Sequence, residues 1–276
     1  EHWAPRIARG RNSFPFKVVS VIAECKGIVV GHCGIFVFEF YLAGRRKKAA
    51  GLCAVAVDPD YQRIGIAGRM CDHVFKYCRE RRIFFSPLFT GVPKVYEKRN
   101  WQLYELPNPK RLSIRNNVYH CPYQKELSEQ QKNDILKLYS NSFIFDGKVE
   151  RSKQRWNSLF TCKTSYWHLT ENAYALIIKD DNNYILSEAY ARNDAWNELL
   201  PVVMNSGKDE LLLYLPSNHP LLNEASKHCA LIDSSEDIWH GEVAMVNMID
   251  ENLAEQSGLT NMIAQKKLFF PLADKF

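Results

Sequence analysis

Short apolar runs separated by polar turns fill the first hundred residues, and they predict strands. Residues 16–24 and 28–41 are rich in β-branched and aromatic side chains. Lys26-Gly27 between them favours a turn, so the two runs are predicted to pair as a hairpin. The basic segment 44–48 is predicted to be a loop, and the compact apolar run 52–57 after it is typical of a buried strand.

The pattern then changes to a helical period. A loop of small and polar residues, 62–67, leads into an apolar-periodic segment that predicts a helix over residues 68–82. Pro93 suits the first residue of a short helix over residues 94–99, because proline lacks the N–H that would be unpaired there. The remaining predicted strands of this sheet are residues 83–89, 101–106 and 110–118.

The second half of the chain repeats this order more loosely. Ser128 and Gln131 form a capping-box signature, which predicts a helix to about residue 143. The later predicted elements are helix 149–159, strand 173–179, turn 180–183, strand 184–190, helix 195–204, strand 211–215, helix 220–228 and strand 243–249. The pattern predicts an α/β (α+β) chain of two domains, residues 1–118 and 119–276. An unrelated α+β domain is the alternative for the second.

Composition narrows the class of protein. The chain has 276 residues, 46% of them hydrophobic, and a net charge of +5. No apolar stretch approaches the roughly 20 residues that span a bilayer, and no signal peptide is recognisable. We therefore predict no membrane partner. The segment 45–48 together with Arg79, Arg81 and Arg82 could form a nucleic-acid patch, but acidic residues are interspersed and the net charge is small, so we predict no nucleic-acid partner.

The cysteines indicate a reducing compartment. None of the eight forms a C-x-x-C pair, and no paired histidines complete a zinc pattern. Most lie within apolar runs, where thiols behave as small hydrophobic groups. We therefore predict a cytoplasmic protein without a metal site. His32 in a strand and His73 in a helix are interpreted as structural or exposed.

The loop before the first long helix carries the candidate chemistry. A loop that opens a helix presents unpaired N–H groups and the positive end of the dipole to an anion. Glycine and alanine there allow a phosphate to approach the backbone closely. The spacing matches neither the dinucleotide fingerprint nor the P-loop. The candidate anion-binding residues are Gln62, Arg63, Ile64, Gly65, Ile66, Ala67 and Gly68.

The segment 62–67 fits Q/R-x-x-G-x-G/A after a V-x-V-x-P-x-Y strand exit, which resembles the coenzyme A loop of the GNAT superfamily of N-acetyltransferases. The resemblance implies a GNAT fold, acetyl-CoA as co-substrate, and pantetheine contacts from the strand residues Val55, Ala56 and Val57. It also places Tyr96 where a tyrosine commonly acts as general acid toward the leaving thiolate. Phe89 stands where an asparagine is often found, which puts one pantetheine contact in doubt.

The order of two such units resembles the tandem acetyltransferases of the enhanced-intracellular-survival type, without their third domain. Trp156 and the stretches 213–221 and 245–250 carry this resemblance in the second unit, which is predicted to lack a coenzyme A loop. In that group the terminal carboxylate can lie near the acceptor amine. The resemblance therefore implies a catalytic role for Phe276, with a packed or frayed tail as the alternative.

The function implied is direct transfer of an acetyl group from acetyl-CoA to a primary amine, either a small molecule or a peptide. A base must deprotonate the amine, and the candidates are Glu24, Glu39 and a water bound to Ser86. The alternative is an acyl-CoA-binding regulatory module without catalysis. A homo-oligomer is possible on either interpretation, and the second domain could shape the acceptor pocket or an interface.

Overall fold

The computed structural model of the chain describes residues 18–112, 124–141, 145–180, 183–204 and 211–269. The strands in these ranges form two mixed sheets. The first has the order β1 (Val18–Cys25), β2 (Ile28–Leu42), β3 (Arg45–Val57), β4 (Phe85–Thr90), β13 (Val243–Met248) and β5 (Gln102–Tyr104), with β7 (Val149–Glu150) paired to β2. The second has the order β12 (Leu231–Asp233), β6 (Lys110–Leu112), β11 (Leu211–Leu213), β10 (Asn183–Ala191), β9 (Ala173–Asp180) and β8 (Ser165–Leu169).

Helices connect and flank the two sheets. They are α1 (Ile66–Glu80), α2 (Lys94–Glu97), α3 (Glu129–Asn141), α4 (Lys153–Thr161), α5 (Leu200–Met204), α6 (Pro220–Ser226), α7 (Glu251–Gln256) and α8 (Leu259–Ala264), with 3₁₀ turns at Pro59–Tyr61 and Ala195–Leu199. The longest, α1, buries Met70, Val74 and Cys78 against the first sheet. In the ranges described, no helix has the length and apolar character needed to cross a membrane.

Local sequence signals agree with the structure where they are strongest. The strands β1 and β2 form the predicted antiparallel hairpin about Lys26-Gly27. The predicted capping box is present in both directions: the Ser128 N–H donates to Oε1 of Gln131 at 2.9 Å, and the Gln131 N–H donates to Oγ of Ser128 at 3.2 Å. Such a box satisfies two of the unpaired N–H groups at the start of α3.

Two predicted elements are wrong in detail. The basic segment Arg45 to Lys48 is the first part of β3 and pairs with the end of β2, so the turn is Ala43-Gly44. The helix predicted over 149–159 begins later, because Ser152 caps α4 by accepting a hydrogen bond from the Arg155 N–H. Val149 and Glu150 instead pair with β2.

The two sheets exchange strands across the predicted domain boundary. The strand β13 lies between β4 and β5 in the first sheet, whereas β6 belongs to the second. The prediction that residues 110–118 finish the first sheet is therefore wrong for Lys110–Leu112, and residues 113–118 lie outside the described ranges. The division of the chain at residue 118 stays a prediction.

The sheets nevertheless share one topology, which confirms a mixed α/β fold with two similar halves. In each half three antiparallel strands are followed by a helical connection and a fourth strand parallel to the third: β1-β2-β3-α1-β4 and β8-β9-β10-α5-β11. The parallel pairs differ. Three residue pairs join β10 to β11, but a single pair, Ala49 opposite Phe85, joins β3 to β4. The parallel ladder of the first sheet is therefore shorter than that of the second.

Candidate functional site

The ladder between β3 and β4 ends after the single pair Ala49 and Phe85. At the junction the Ser86 hydroxyl donates to the carbonyl oxygen of Ala50 at 2.5 Å. Beyond it, β3 pairs with β2 and β4 pairs with β13, so within the described strands the facing edges are not joined by further residue pairs. The predicted pantetheine contacts Val55, Ala56 and Val57 are half-buried on β3 beyond this point. The cleft therefore offers backbone hydrogen-bonding groups to an extended ligand.

A β-bulge interrupts β3 at the cleft. Gly34 of β2 lies opposite Cys53, and His32 lies opposite Ala56, so β3 carries one residue more than β2 between these pairs. Ala54 in this stretch has φ +50°, in the left-handed region. The side chain of His32 contacts the bulge directly, since its Nδ1 lies 2.9 Å from the carbonyl oxygen of Ala54. The sequence around His32 did not predict this contact with Ala54.

The loop after β3 forms a cradle at the start of α1. Gly65 caps the helix in the left-handed conformation, with φ +86°, and a Cβ at this position would meet no atom within 4 Å. The first backbone bond of the helix runs from the Arg69 N–H to the carbonyl oxygen of Gly65, and the N-cap residue, a glycine, has no side chain with which to cap the earlier N–H groups. The Gln62 amide ties the loop to β3 by donating to the carbonyl oxygen of Val57 at 3.0 Å.

This cradle fits a pyrophosphate. Unpaired N–H groups at a helix start and the positive end of the helix dipole stabilise an anion. Arg63 and Ile64 are exposed in the loop, while Ala67 is half-buried and the Ile66 side chain is packed in the core. The helix begins at Ile66, two residues before the predicted start, so the backbone of Ile66 belongs to the candidate anion site.

Gly68 contacts a residue from the next structural element. The Arg99 Nε donates to the carbonyl oxygen of Gly68 at 3.2 Å and lies 3.5 Å from Oδ1 of Asp72. Arg99 is in turn held from β13, because the side-chain amide of Asn247 donates to its carbonyl oxygen at 2.8 Å. These contacts fix the segment after α2 against α1.

Tyr96 lies on α2, whose N-cap is Pro93. Its ring packs edge-on against Trp101, with the centroids 6.1 Å apart. Burial, with a smaller contribution from the thiols of Cys71 and Cys33, raises the pKa of Tyr96 to about 12. The hydroxyl is therefore protonated at neutral pH and available as a hydrogen-bond donor.

The other predicted catalytic groups lie in different surroundings. Glu24 is exposed in the β1–β2 hairpin, opposite Val29. Glu39 lies 3.6 Å from Nη1 of Arg46 and lines a cavity of about 420 Å³ between the first sheet and residues 149–155. Ser86 is fully buried at the apex of the cleft. Phe276 lies outside the described residues, and within the described ranges no cluster of side chains has the composition of a metal site.

Phe89 explains one departure from the resemblance. Its ring stacks on Trp239, with centroids 4.8 Å apart and an angle of 8° between the planes. The position is thus used for packing between β4 and the segment that precedes β13. An asparagine there would lose this aromatic contact.

Comparison with known proteins identifies the first part of the chain. Residues 7–104 match the family described as an acetyltransferase (GNAT) domain, so the chain contains a GNAT acetyltransferase domain. This range includes the cleft, the loop 62–67 and Tyr96. No curated protein sequence matches the chain.

Solved structures show the fold over most of the chain. Eis1 from Mycobacterium abscessus is 15% identical with a TM-score of 0.66, and the match covers 88% of this chain and 68% of Eis1. A GCN5-related N-acetyltransferase from Kribbella flavida is 18% identical with a TM-score of 0.60, covering 83% of this chain and 59% of that one. A probable N-acyltransferase from Enterococcus faecalis V583 is 14% identical with a TM-score of 0.63, covering 94% and 68%.

These matches confirm the predicted GNAT fold and the resemblance to the tandem, enhanced-intracellular-survival type. The chain spans about three fifths of the length of the Kribbella flavida protein.

Proposed function

We propose that the chain transfers an acetyl group from acetyl-CoA to a primary amine of a small molecule or a peptide. One observation carries this proposal: the ladder between β3 and β4 ends after one pair, which leaves a cleft of unjoined strand edges, and β3 leads into the open Gly65 cradle of α1 within the range that matches a GNAT domain. A cleft lined by free strand edges suits an extended pantetheine chain. The cradle suits the pyrophosphate that follows it in coenzyme A.

In this proposal each part of the site has a distinct task. The N–H groups of Ile66, Ala67 and Gly68 bind the pyrophosphate, and Gly65 allows it to approach. The backbone of Val55, Ala56 and Val57 holds the pantetheine arm and donates to the acyl oxygen. Arg99 keeps α2, and with it Tyr96, in register with α1.

The transfer forms one bond and breaks another. The deprotonated amine attacks the acyl carbon, the new C–N bond forms, the C–S bond breaks, and the sulfur leaves as a thiolate. The Tyr96 hydroxyl donates a hydrogen bond to that sulfur as it leaves, and the thiolate takes up a proton from solvent after release. Because a thiol is a stronger acid than a tyrosine with a pKa of about 12, the hydrogen bond to the thiolate supplies most of the stabilisation.

The proton of the amine goes to a base before or during attack. Of the three predicted candidates, Glu39 lines a cavity next to the first sheet, and Ser86 is at the apex of the cleft. Glu39 pairs with Lys48, six residues before Ala54 on β3 and roughly 20 Å from it along the strand, so we propose Ser86, through a bound water, as the route for this proton. The described cysteines are free thiols, which supports a reducing, cytoplasmic location for the reaction.

Calorimetry with acetyl-CoA tests the coenzyme site. Gly65→Glu places a charged side chain where the pyrophosphate is expected, and binding should be lost. Gly258→Glu is a matched control, because Gly258 also caps a helix in the left-handed conformation, with φ +81° and open space around a Cβ. Binding that survives Gly65→Glu, or that fails equally in the control, contradicts the assignment.

The regulatory-module alternative has one observation in its favour, namely that Phe89 is engaged with Trp239 in place of a pantetheine-binding asparagine. Release of free thiol from acetyl-CoA, followed over a panel of amines, separates the two functions. Amine-dependent thiol release supports the transferase. Tight acetyl-CoA binding without release to any amine supports the module.

A further inference from the structure

The bulge in β3 places an alanine where glycine is the usual residue. Ala54 has φ +50°, and a residue with a Cβ pays a steric penalty in this region. A left-handed residue at the first position of a bulge is commonly glycine for this reason. Something in the surrounding structure must therefore hold Ala54 in place.

His32 provides that restraint through two hydrogen bonds. Its Nδ1 lies 2.9 Å from the Ala54 carbonyl oxygen, and its Nε2 lies 2.9 Å from Oγ of Ser20. A carbonyl oxygen accepts but cannot donate, so Nδ1 carries the hydrogen in this contact, and Nε2 bonds to the Ser20 hydroxyl, which can either donate or accept. The ring thus connects β1, β2 and β3 at the bulge.

Packing around the bulge is tight on the same strands. A Cβ added to Gly34 would lie 2.9 Å from Cγ1 of Val18 and 3.1 Å from Sγ of Cys53. Gly34 is the residue opposite Cys53, directly before the bulge. The three strands are therefore fixed on one side of Ala54 by packing and at Ala54 itself by His32.

We infer that His32 is a positioning residue for acetyl transfer: it holds the Ala54–Val55 peptide in the orientation that the acyl group requires. The inference rests on the proposed function. In a trans peptide the carbonyl and the N–H point in opposite directions, and the described chain has no cis peptide bond. A hydrogen bond that fixes the Ala54 carbonyl therefore also fixes the Val55 N–H, which lies on the cleft strand.

Two isosteric variants of His32 test the hydrogen bonds of Nδ1 and Nε2 separately. Asparagine places its amide nitrogen near the position of Nδ1, whereas glutamine places it near Nε2. His32→Asn should keep the bond to Ala54 and most of kcat. His32→Gln and His32→Ala should lower kcat by about 10- to 100-fold, the range expected for a misplaced reacting group, with little change in CoA affinity. His228→Ala, an exposed histidine of the second half, is the control.

A second substitution tests whether His32 acts by holding Ala54 in its left-handed conformation. Glycine adopts a positive φ without the steric penalty, so Ala54→Gly should restore part of the kcat and raise the Tm of His32→Ala. Rescue would not follow if His32 acted as the base for the amine. Retention of activity in His32→Asn would equally exclude that role, because an amide is not basic at neutral pH.

The experiments distinguish failure of the His32 inference from failure of the transferase proposal. If the wild-type chain binds acetyl-CoA but releases no thiol to any amine, the transferase proposal fails and this inference fails with it. If the wild type is active, while His32→Asn and His32→Gln lose kcat equally and Ala54→Gly restores nothing, the transferase stands and the positioning role of His32 is overturned.

Discussion

The guanidinium of Arg99 occupies the space that a Cβ at position 68 would need: such an atom would lie 1.5 Å from Nη2 of Arg99. Gly68 is buried in the first turn of α1, and Arg99 follows the helix that carries Tyr96. The absence of a side chain at one residue thus allows the close approach of the other. This contact couples the candidate anion site to the candidate acid.

Gly68→Ala should therefore raise the KM for acetyl-CoA and lower kcat, because Arg99 must leave its place against α1. In Arg99→Ala the obstacle is already absent, so adding Gly68→Ala should have a smaller further effect. Such non-additivity is expected of residues in contact, with an interaction energy of about 0.5–3 kcal/mol. A double-mutant cycle on kcat/KM measures it, and strictly additive effects would contradict the coupling.

Tyr96→Phe should lower kcat by roughly 100-fold, within the range typical of a positioned proton donor, and leave acetyl-CoA binding unchanged. Since burial raises the pKa of Tyr96 to about 12, its protonation should not produce a fall in activity between neutral pH and pH 10. Steady-state kinetics over that range check both points. Tyr77→Phe, half-buried on α1, is the matched control and should stay active.

The buried side chain of Lys148 should make the free energy of unfolding depend on pH. Its side chain is 2% exposed, its Nζ donates to the Tyr139 carbonyl oxygen at 2.7 Å, and it lies 4.9 Å from the ring centroid of Tyr190. Burial lowers its pKa to about 8, whereas an unfolded lysine titrates near 10.4. Between these values the unfolded chain binds more protons, so this contribution to the free energy of unfolding rises with pH, on the order of 3 kcal/mol in all.

Lys148→Met isolates that contribution. The difference in the free energy of unfolding, wild type minus variant, should increase from about pH 8 to about pH 10 and stay constant below pH 8. Denaturant unfolding at several pH values gives the difference. If the difference does not change with pH, the lysine titrates normally and the prediction is wrong.

The buried ion pair of the second sheet should be costly to break. Nη1 of Arg151 lies 3.0 Å from Oε1 of Glu188, Nη2 bonds to the other oxygen, and the Tyr174 hydroxyl donates to Oε1 at 2.5 Å. Glu188→Gln leaves the guanidinium buried beside a neutral group, and it should destabilise the chain by about 3–5 kcal/mol.

An exposed pair gives the comparison. Glu171, 3.7 Å from Nη2 of Arg192, has a side chain that is 86% exposed, so Glu171→Gln should cost less than about 1 kcal/mol. Replacing Arg151 and Glu188 together by apolar residues should recover much of the loss. Equilibrium unfolding in urea measures all three, and equal effects at the buried and exposed sites would contradict the interpretation.

A chain ending at residue 118 tests the predicted domain boundary. It lacks β13, so β4 and β5 would have no strand between them, and Met245 and Val246 would be missing from the core. We expect this fragment to show no cooperative unfolding and no acetyl-CoA binding, in contrast to the full chain. A folded, coenzyme-binding fragment would support the boundary at 118 and show that β13 is dispensable.

The parts of this fold that the sequence predicts are those set by local chemistry. Ser128 and Gln131 specify their capping box within three residues, and the Lys26-Gly27 turn specifies its hairpin. The candidate anion site was predicted from the spacing of residues 62–67 before a helix, and a glycine there is not diagnostic, because Gly258 also caps a helix in the left-handed conformation; the assignment stays a prediction. Tyr96 became a candidate only through the family resemblance.

The remaining features depend on partners distant in sequence. Nothing in residues 243–248 indicates that they insert between β4 and β5, since any neighbouring apolar strand would satisfy their pattern. The four charged residues Arg45 to Lys48 were predicted to be a loop because of their charge. They are the largely exposed first part of β3. His32 was missed because its partner, Ala54, is defined by a register shift that periodicity does not reveal.

The position of β13 also has a consequence for synthesis. The cleft strands, the Gly65 cradle and Tyr96 all leave the ribosome before Asn247, whose side chain donates to the Arg99 carbonyl oxygen. At about 5–20 residues per second, on the order of ten seconds of translation separate Tyr96 from that contact. A nascent chain interrupted in the second half would contain the coenzyme site but lack the contact between Asn247 and Arg99. We therefore expect acetyl-CoA binding only after both halves have been made.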